Sequence, residues 1–233
     1  MISIIIPTLN EEARILKLLK LLQEHSSRFI REIIVVDGGS SDKTIQLVKE
    51  QSQAILVASE KGRARQMNAG AKIASGRILY FLHADSFPPK DFDLFITEAY
   101  RNLNKAGCFC MRFDKDHWFL NFISWFTKFN HKVCRGGDQS LFVEKQLFDE
   151  TGGFNESYIV YEDNDLIEKL YQKGEFVVLE QQLITSARRY EEYGIWKVNY
   201  LFFRIHLKKW FGAGPEELHS YYQQKNQSLK RLP

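Results

Sequence analysis

The chain has 233 residues, 44% of them hydrophobic, which fits one sizeable domain with a full core and excludes global disorder. Its formal net charge of +3 comes from 32 basic and 29 acidic residues and is too small to indicate a nucleic-acid partner.

The first 85 residues alternate between strands and helices. Strands are predicted at residues 2–6, 32–36, 54–57 and 77–82, and helices at 11–25, from 41 toward 50 and at 62–74. Asn10 is the expected N-cap of the first helix, with acids in its first turn. The alternation predicts right-handed βαβ units and a mostly parallel sheet.

Beyond residue 88 the pattern is less regular. It predicts helices at 91–103 and 161–172, strands at 107–112, 140–143 and 175–179, a loop at 136–139 and a turn at 152–154. Two terminal helices are predicted at 194–211 and 215–224. We expect one catalytic domain over residues 1–190, with halves at about 1–85 and 86–190, and a C-terminal helical extension at 191–233 packed on it.

Three cysteines give an odd number without paired spacing, which argues against a disulfide framework and against a zinc site. Cys108 and Cys110 are predicted to share one face of a strand as small buried hydrophobes.

The N-terminus enters a strand directly, so no signal peptide is expected. No apolar run reaches the about 20 residues that span a bilayer. We therefore expect a cytoplasmic protein.

Three predicted strands end in polar, acid-containing clusters. The first runs into residues 7–12, the second into Asp37 and the fourth into His83-Ala84-Asp85. Continuous Val, Ile and Leu runs are typical of parallel strands buried on both faces. Because ligands of such sheets bind past the carboxyl ends of the strands, the sequence predicts one crevice for a nucleotide and a metal ion.

Each acid at these strand ends has two interpretations. Asp37 either accepts a hydrogen bond from a nucleobase N–H or forms the turn that caps the next helix. Asp85 offers the hard oxygen ligands that Mg²⁺ prefers. His83 either joins that metal site or serves as a structural hydrogen bonder.

Two groups of arginines are candidates for binding a diphosphate. Arg63 and Arg65 lie near the start of a predicted helix, whose dipole is positive at that end. Arg188-Arg189 precedes the terminal helices and is interpreted as a flexible pair that folds over the diphosphate. The alternative for both groups is ordinary solvated arginine.

Three acids crowd the start of the predicted helix at 161–172, namely Glu162, Asp163 and Asp165. Acids at a helix N-terminus pair favourably with the macrodipole. The functional interpretation is a general base that takes a proton from an acceptor hydroxyl, with crowding raising one pKa toward that role.

In this order, the motifs resemble those of family 2 glycosyltransferases of the GT-A fold. The segments that carry the resemblance are 4–12, 33–44 and 152–154 followed by Glu162-Asp163. More narrowly, residues 62–68, 81–85 and 186–190 resemble a subgroup of small soluble bacterial enzymes, some named for arsenosugar biosynthesis. The fold implied is α/β, with a mostly parallel central sheet flanked by helices and with C-terminal helices.

The resemblance implies a nucleotide-sugar site. Thr8, Asn10, Glu11 and Asp37 would hold the base and ribose, and Arg63 and Arg65 would approach the base or diphosphate. The full implied set is Pro7, Thr8, Asn10, Glu11, Asp37, Arg63, Arg65, Asn68, His83, Ala84, Asp85, Arg188 and Arg189.

It also implies catalytic roles. Asp163 would be the catalytic base with Glu162 beside it, and Asp85 the metal-binding acid of an Asp-X-Asp motif that binds Mg²⁺ or Mn²⁺. His83 replaces the first acid of that motif, so the ribose or metal contact at that corner departs from the family's pattern.

The implied activity is inverting, metal-assisted transfer of a sugar from a nucleotide-diphosphate sugar to an acceptor hydroxyl.

The competing enzyme class is a sugar-nucleotidyltransferase. Such an enzyme should carry a glycine-rich, Arg-containing loop after the first strand, whereas here residues 7–11 read Pro-Thr-Leu-Asn-Glu. A degenerate transferase kept as a binding protein is the non-enzymatic alternative. A processive polymer synthase is disfavoured because the family's Gln-X-X-Arg-Trp motif is missing from the sequence.

Aromatic residues are dense at 118–129 and 194–211, and residues 188–233 hold nine Lys and Arg against four Glu. One interpretation is core and lid packing beneath a solvated basic face. The other is an acceptor or membrane-facing surface, with the C-terminal helices making peripheral contact at the inner face of the membrane.

Overall fold

The computed structural model describes residues 1–136, 139–174 and 176–230, with side chains up to residue 226. The strands are β1 (Ile2–Thr8), β2 (Ile30–Asp37), β3 (Ala54–Ala58), β4 (Ile78–Phe81), β5 (Ser86–Phe87), β6 (Ala106–Phe113), β7 (Leu141–Glu144) and β8 (Phe176–Thr185). The helices are α1 (Ile15–His25), α2 (Thr44–Lys49), α3 (Arg63–Ile73), α4 (Phe92–Arg101), α5 (Trp118–Phe126), α6 (Lys145–Glu150), α7 (Glu162–Gln172), α8 (Arg188–Tyr193), α9 (Ile195–Trp210) and α10 (Pro215–Lys230), with a short 3-10 turn at Lys132–Cys134.

The strands form one mixed sheet in the order β3-β2-β1-β4-β7-β6-β8-β5. The first four are parallel, as predicted, and β7 runs antiparallel between β4 and β6. Thr8 pairs with Asp37 and Asp37 with Ala58, so β1, β2 and β3 end at one level. This common edge brings together the loops that carry the predicted site residues.

Helices cover both faces of the sheet. One core cluster joins α1 and α4 to side chains such as Ile4, Tyr80 and Phe109. The other packs α3 and α7 on the opposite face, around Ile5 and Leu166. The residues that the strands direct into these clusters are almost fully buried, as expected for parallel strands covered on both sides.

Helix α3 lies unusually close to the sheet at Gly70. A Cβ at this position would come within 2.5 Å of the Ile5 side chain and 3.0 Å of Val36. Only glycine therefore lets α3 approach β1 and β2 to this distance. The close approach sets the height of the first turns of α3 above the strand ends.

The C-terminal helices pack on the second half of the sheet. Val198 of α9 contacts a cluster that includes Phe113 and Leu120, while Leu201 and Ile205 join Tyr158 and α10. The proposed boundary at residue 190 stays a prediction. In the described part of the chain, none of the helices has the length and apolar character needed to cross a bilayer.

Several local predictions differ from the structure. Asn10 is not the N-cap of α1, because the helix begins at Ile15 and has no acid in its first turn. Arg188 and Arg189 begin a helix rather than a flexible segment. Strand β8 continues to Thr185 instead of ending at 179, and Glu175 lies outside the described residues, as do Gly137 and Asp138 of the predicted loop.

The buried state predicted for two cysteines is confirmed. Cys108 and Cys110 are 1% and 3% exposed on β6. Burial raises the pKa of the Cys108 thiol to about 11, against the opposing effect of Arg135. Both thiols therefore serve as small packed side chains.

Candidate active site

A cavity of about 880 Å³ opens at the carboxyl ends of β1 and β4. Ten of the predicted site residues line it: Pro7, Thr8, Glu11, Arg63, His83, Ala84, Asp85, Asp163, Arg188 and Arg189. The volume lies within the range of roughly 300–1,000 Å³ that ligand pockets occupy. The structure therefore brings most of the predicted donor site into one place.

The loops that follow β1 and β2 are tied to each other. The Asn10 backbone N–H donates to Ser40 Oγ at 2.9 Å, and Ser41 N–H donates to Asn10 Oδ1 at 2.8 Å. Glu11 N–H donates to Thr44 Oγ1 at 2.8 Å. Asn10 adopts a left-handed conformation with φ 56°, which asparagine tolerates better than most residues. Its side chain thus shapes the loop and does not line the cavity.

Asp37 forms the turn after β2. Its Oδ2 accepts hydrogen bonds from the N–H groups of Gly39 and Ser40, at 2.8 and 2.9 Å, and its Oδ1 accepts from Ser40 Oγ. The residue is 4% exposed and is not among those that line the cavity. Of the two interpretations, the turn-forming one describes its contacts in this structure.

Gln66 is a site residue that the sequence analysis missed. Its Nε2 donates to the carbonyl oxygens of Thr8 and Val36, both at 2.8 Å, and so joins the ends of β1 and β2. The side chain extends from α3, is almost fully buried, and still borders the cavity. Only its position one helical turn after Arg63 hinted at this role.

Glu11 faces the cavity from the end of β1 and pairs with the other end of the chain. Arg188 Nη2 lies 3.1 Å from Glu11 Oε1, while Glu11 Oε2 is buried without a hydrogen-bond partner in the described part of the chain. Burial raises the pKa of Glu11, Arg188 opposes this, and the nearby Asp85 carboxylate raises it further. The two carboxylates therefore lie within electrostatic reach of each other.

The donor set formed by Asp85 and Glu11 fits a hard divalent cation. One carboxylate oxygen is buried and unpartnered, and the mutual repulsion of the two acids would be relieved by a cation. Within the described ranges, no group of three or more His, Cys, Asp or Glu side chains is arranged so that it could hold a metal ion by itself. Mg²⁺ is commonly bound by one or two carboxylates, with substrate phosphates and water as its further ligands, so two acids suffice for such a site.

Arg63 connects α3 to the acids at the start of α7. Its Nε lies 2.6 Å from Glu162 Oε1, and its Nη2 lies 3.5 Å from Asp163 Oδ2. The Glu162 side chain is 1% exposed and that of Asp163 is 12% exposed. Asp163 borders the cavity, whereas Glu162 does not. One guanidinium thus orients two neighbouring carboxylates that have different surroundings.

Burial raises the pKa of Glu162 above its ordinary value, Arg63 opposes the shift, and the adjacent Asp163 carboxylate adds to it. The third acid of the group, Asp165, pairs with Lys169 at 2.9 Å. The crowding that the sequence predicted therefore acts on Glu162.

Tyr161, the residue before these acids, has φ 81°. This left-handed conformation is unfavourable for a bulky side chain and is found where the surrounding structure imposes it, often at functional sites. It turns the chain sharply into α7, so that Glu162 and Asp163 point back toward α3.

Two predicted donor residues lie elsewhere. Arg65 pairs with Glu60 at 2.6 Å on the surface. Asn68 holds the turn after α6, donating to the Phe154 carbonyl at 2.9 Å and accepting from the Phe154 N–H at 3.0 Å. Neither borders the cavity.

The C-terminal helices complete the cavity wall with side chains that the sequence analysis did not assign to the site. Arg189 lies against the rings of Phe202 and Tyr222, with its guanidinium carbon 4.8 and 5.5 Å from their centroids. Asn199 of α9 and His219 of α10 also border the cavity. These contacts depend on tertiary packing and therefore leave no trace in sequence spacing.

Residues 3–155 match the family model described as Glycosyl transferase family 2. The chain belongs to glycosyl transferase family 2.

Relatives support the membership. The chain is 27% identical over 205 residues to the PGL/p-HBAD biosynthesis glycosyltransferase of Mycobacterium bovis, covering 83% of this chain and 78% of that protein. It is 32% identical over 112 residues to the dolichyl N-acetyl-alpha-D-glucosaminyl phosphate 3-beta-D-2,3-diacetamido-2,3-dideoxy-beta-D-glucuronosyltransferase of Methanococcus voltae. That match covers 45% of this chain and only 35% of the relative's length.

A solved structure confirms the GT-A fold. The mannosyltransferase PcManGT from Pyrobaculum calidifontis, in complex with GDP-Man and Mn²⁺, superposes with a TM-score of 0.68 at 19% identity. The match covers 95% of this chain and 68% of that chain. Membership of the arsenosugar subgroup within the family stays a prediction.

The raised pKa of Glu162 has a consequence for stability in this family 2 protein. An acid whose pKa is higher in the folded than in the unfolded chain binds more protons when folded. Its contribution to stability is present below about pH 4.5 and is lost as pH rises through the folded pKa. We expect Glu162→Gln to remove part of this decline, measured as melting temperature from pH 4.5 upward.

The control is Glu168→Gln on the same helix, whose partner Lys132 lies on the surface. This variant should keep the pH dependence of the unmodified chain. Parallel curves for the unmodified chain and Glu162→Gln would show that the burial of Glu162 does not shift its titration.

Proposed function

We propose that this chain transfers a sugar from a nucleotide-diphosphate sugar to an acceptor hydroxyl with inversion at the anomeric carbon. The observation that carries the proposal is one cavity bordered both by Asp85, after β4, and by Asp163, at the start of α7. We assign the leaving-group side to Asp85 and the base to Asp163, and their presence at one cavity supports this assignment. Family membership supports the reaction class.

The donor occupies the part of the cavity beside β1. Pro7 and Thr8 border the base side, and Asp37 shapes that wall through its turn rather than by direct contact. Lys61 and Arg188 supply positive charge for the diphosphate. Arg188 is held by Glu11 in this structure and exchanges that partner for phosphate oxygens when the donor binds.

In the chemical step, Asp163 accepts the proton of the acceptor hydroxyl. The acceptor oxygen forms a bond to the anomeric carbon from the side opposite the diphosphate, and the bond from that carbon to the diphosphate oxygen breaks. The electron pair leaves on the nucleoside diphosphate. No covalent enzyme intermediate is formed, so the configuration inverts.

Glu162 acts through Arg63. Because Glu162 is buried and does not border the cavity, it does not touch the reacting atoms. It fixes the guanidinium that also reaches Asp163, which keeps the base in one orientation. We assign it a positioning role.

Asp85, with Glu11 beside it, would hold a divalent cation. When bound, such a cation supplies positive charge that favours departure of the diphosphate. The residues fit this role, and the similar PcManGT was solved with Mn²⁺ together with GDP-Man. A screen of uracil and guanine nucleotide sugars by melting temperature identifies the base of the donor, because a ligand that binds the folded protein raises that temperature.

Asp163→Asn should lower turnover by about 10² to 10⁴-fold with little change in donor affinity, because a general base acts mainly in the transition state. The assay is release of nucleoside diphosphate from the donor that most stabilises the protein. Asp165→Asn, which alters a neighbouring acid of the same helix outside the cavity, is the matched control and should keep its turnover.

Unmodified turnover in Asp163→Asn would overturn its assignment as the base. An unmodified chain that binds donor but shows no release of nucleoside diphosphate would favour a degenerate binding protein.

Asp85→Ala should weaken binding of the nucleoside diphosphate in the presence of Mn²⁺ by about two orders of magnitude, because the cation that Asp85 would hold attracts the diphosphate. Calorimetry with UDP and GDP, with and without Mn²⁺, measures this. Asp149→Ala, an exposed acid at the end of α6, should bind as the unmodified chain does. An Mn²⁺-dependent affinity that survives in Asp85→Ala would remove Asp85 from the metal site.

A further inference from the structure

Helix α5 exposes a stripe of large aromatic side chains to solvent. Trp118, Phe122, Trp125 and Phe129 follow the spacing i, i+4, i+7 and i+11, the last in the turn after the helix. They are 67%, 52%, 49% and 46% exposed. Of the two interpretations of this segment, core packing does not describe these four side chains.

Helix α9 repeats the pattern. Its exposed stripe consists of Trp196, Tyr200, Phe203 and Trp210, which are 61%, 59%, 61% and 81% exposed. Its opposite face carries Val198, Leu201 and Ile205, which are buried. The helix is thus apolar on two faces, of which only one has a partner within the described part of the chain.

The two stripes meet near the N-terminal ends of their helices. Trp196 of α9 lies 4.5 Å from Phe119 and 6.0 Å from Trp118 of α5, measured between ring centroids. Within α5, Trp125 lies 4.7 Å from Phe129. We call the eight exposed residues of these stripes the α5–α9 aromatic surface.

The charged side chains within the two helices are all basic, while Asp114 and Asp116, before α5, lie at one edge of the surface beside Trp125 and Lys128. Neither Trp118–Phe126 nor Ile195–Trp210 contains an acidic residue. Lys128 follows α5, and Lys197 and Arg204 flank the exposed stripe of α9. Aromatic side chains bordered by cations are suited to the interface of an anionic bilayer, where Trp and Tyr partition and Lys and Arg meet lipid phosphates.

The same two helices form part of the cavity wall. Ile123 and Phe126 of α5 border the cavity, as do Asn199 and Phe202 of α9. These side chains lie beside the exposed stripes on each helix, as their spacing requires. A ligand that reaches the cavity past them would meet apolar side chains before it meets Asp163.

We propose that the α5–α9 aromatic surface docks on an anionic lipid bilayer and holds the cavity at the lipid interface. A second copy of the chain fits this surface less well, because neither helix carries an acid that could pair with Lys197 or Arg204 of the other copy. Large apolar side chains that are exposed side by side mark interaction sites on protein surfaces. Docking of this surface on a bilayer does not depend on catalysis. If the proposed function holds, docking also implies that the acceptor hydroxyl belongs to an amphiphile in the bilayer, and this consequence rests on the proposed function.

The test is flotation with vesicles of phosphatidylcholine alone or with roughly a quarter phosphatidylglycerol. The full chain should float with the anionic vesicles and not with the neutral ones. Trp118→Ser/Trp125→Ser should lose at least about tenfold in bound fraction, because binding scales with the apolar area inserted. The matched control, Ile55→Ser/Leu103→Ser, removes exposed apolar side chains outside the surface and should float as the unmodified chain does.

The charge contribution is tested separately. Lys128→Gln/Lys197→Gln should reduce flotation with anionic vesicles, and added salt should reduce it in the unmodified chain. Melting temperatures of all variants verify that they are folded.

Three results would overturn the proposal: no flotation of the unmodified chain, equal flotation of the tryptophan variant, or a dimer that dissociates in that variant while neither form binds vesicles. Neither Trp118 nor Trp125 borders the cavity, so binding of UDP and GDP measured by calorimetry should be unchanged in the tryptophan variant. Flotation without any nucleotide binding would leave the docking intact and count against the proposed function.

Discussion

The contact between Arg63 and Glu162 joins the two halves of the sheet across 99 residues of chain, and the site depends on it. A carboxylate that is almost fully buried is stable as an ion only when a cation with good geometry accompanies it. Arg63 can reach Glu162 because Gly70 lets α3 lie close against β1 and β2. The position of Asp163, which follows Glu162 on α7, is thereby linked to the packing of a helix on the other half of the sheet.

This link orders the cavity as well. Gln66, one turn beyond Arg63 on the same helix, joins the carbonyl groups at the ends of β1 and β2. The left-handed backbone at Tyr161 turns α7 so that Asp163 faces the cavity. Arg188, at the start of α8, borders the cavity and pairs with Glu11 after β1. Substrate binding would break only this last, more exposed pair and leave the buried one intact.

The sequence predicted the parallel strands and the meeting of their ends because both follow from local hydrophobic runs and from the geometry of βαβ units. It could not separate residues that face the cavity from neighbours that shape loops. Asp37 and Asn68 sit in the expected motifs, yet their side chains satisfy backbone groups of nearby turns. The position of each side chain relative to the cavity is decided by the tertiary arrangement. Aromatic density likewise did not distinguish a core helix from an exposed one, and only burial shows that Trp118 and Trp196 face solvent.

The central claim is that Asp163 activates an acceptor for direct displacement without a covalent intermediate. The most direct measurement is the anomeric configuration of the sugar released when water serves as the acceptor, followed by proton NMR before mutarotation. Direct displacement predicts that the first sugar formed has the anomeric configuration opposite to that of the donor. Release of the same anomer as the donor would contradict the account.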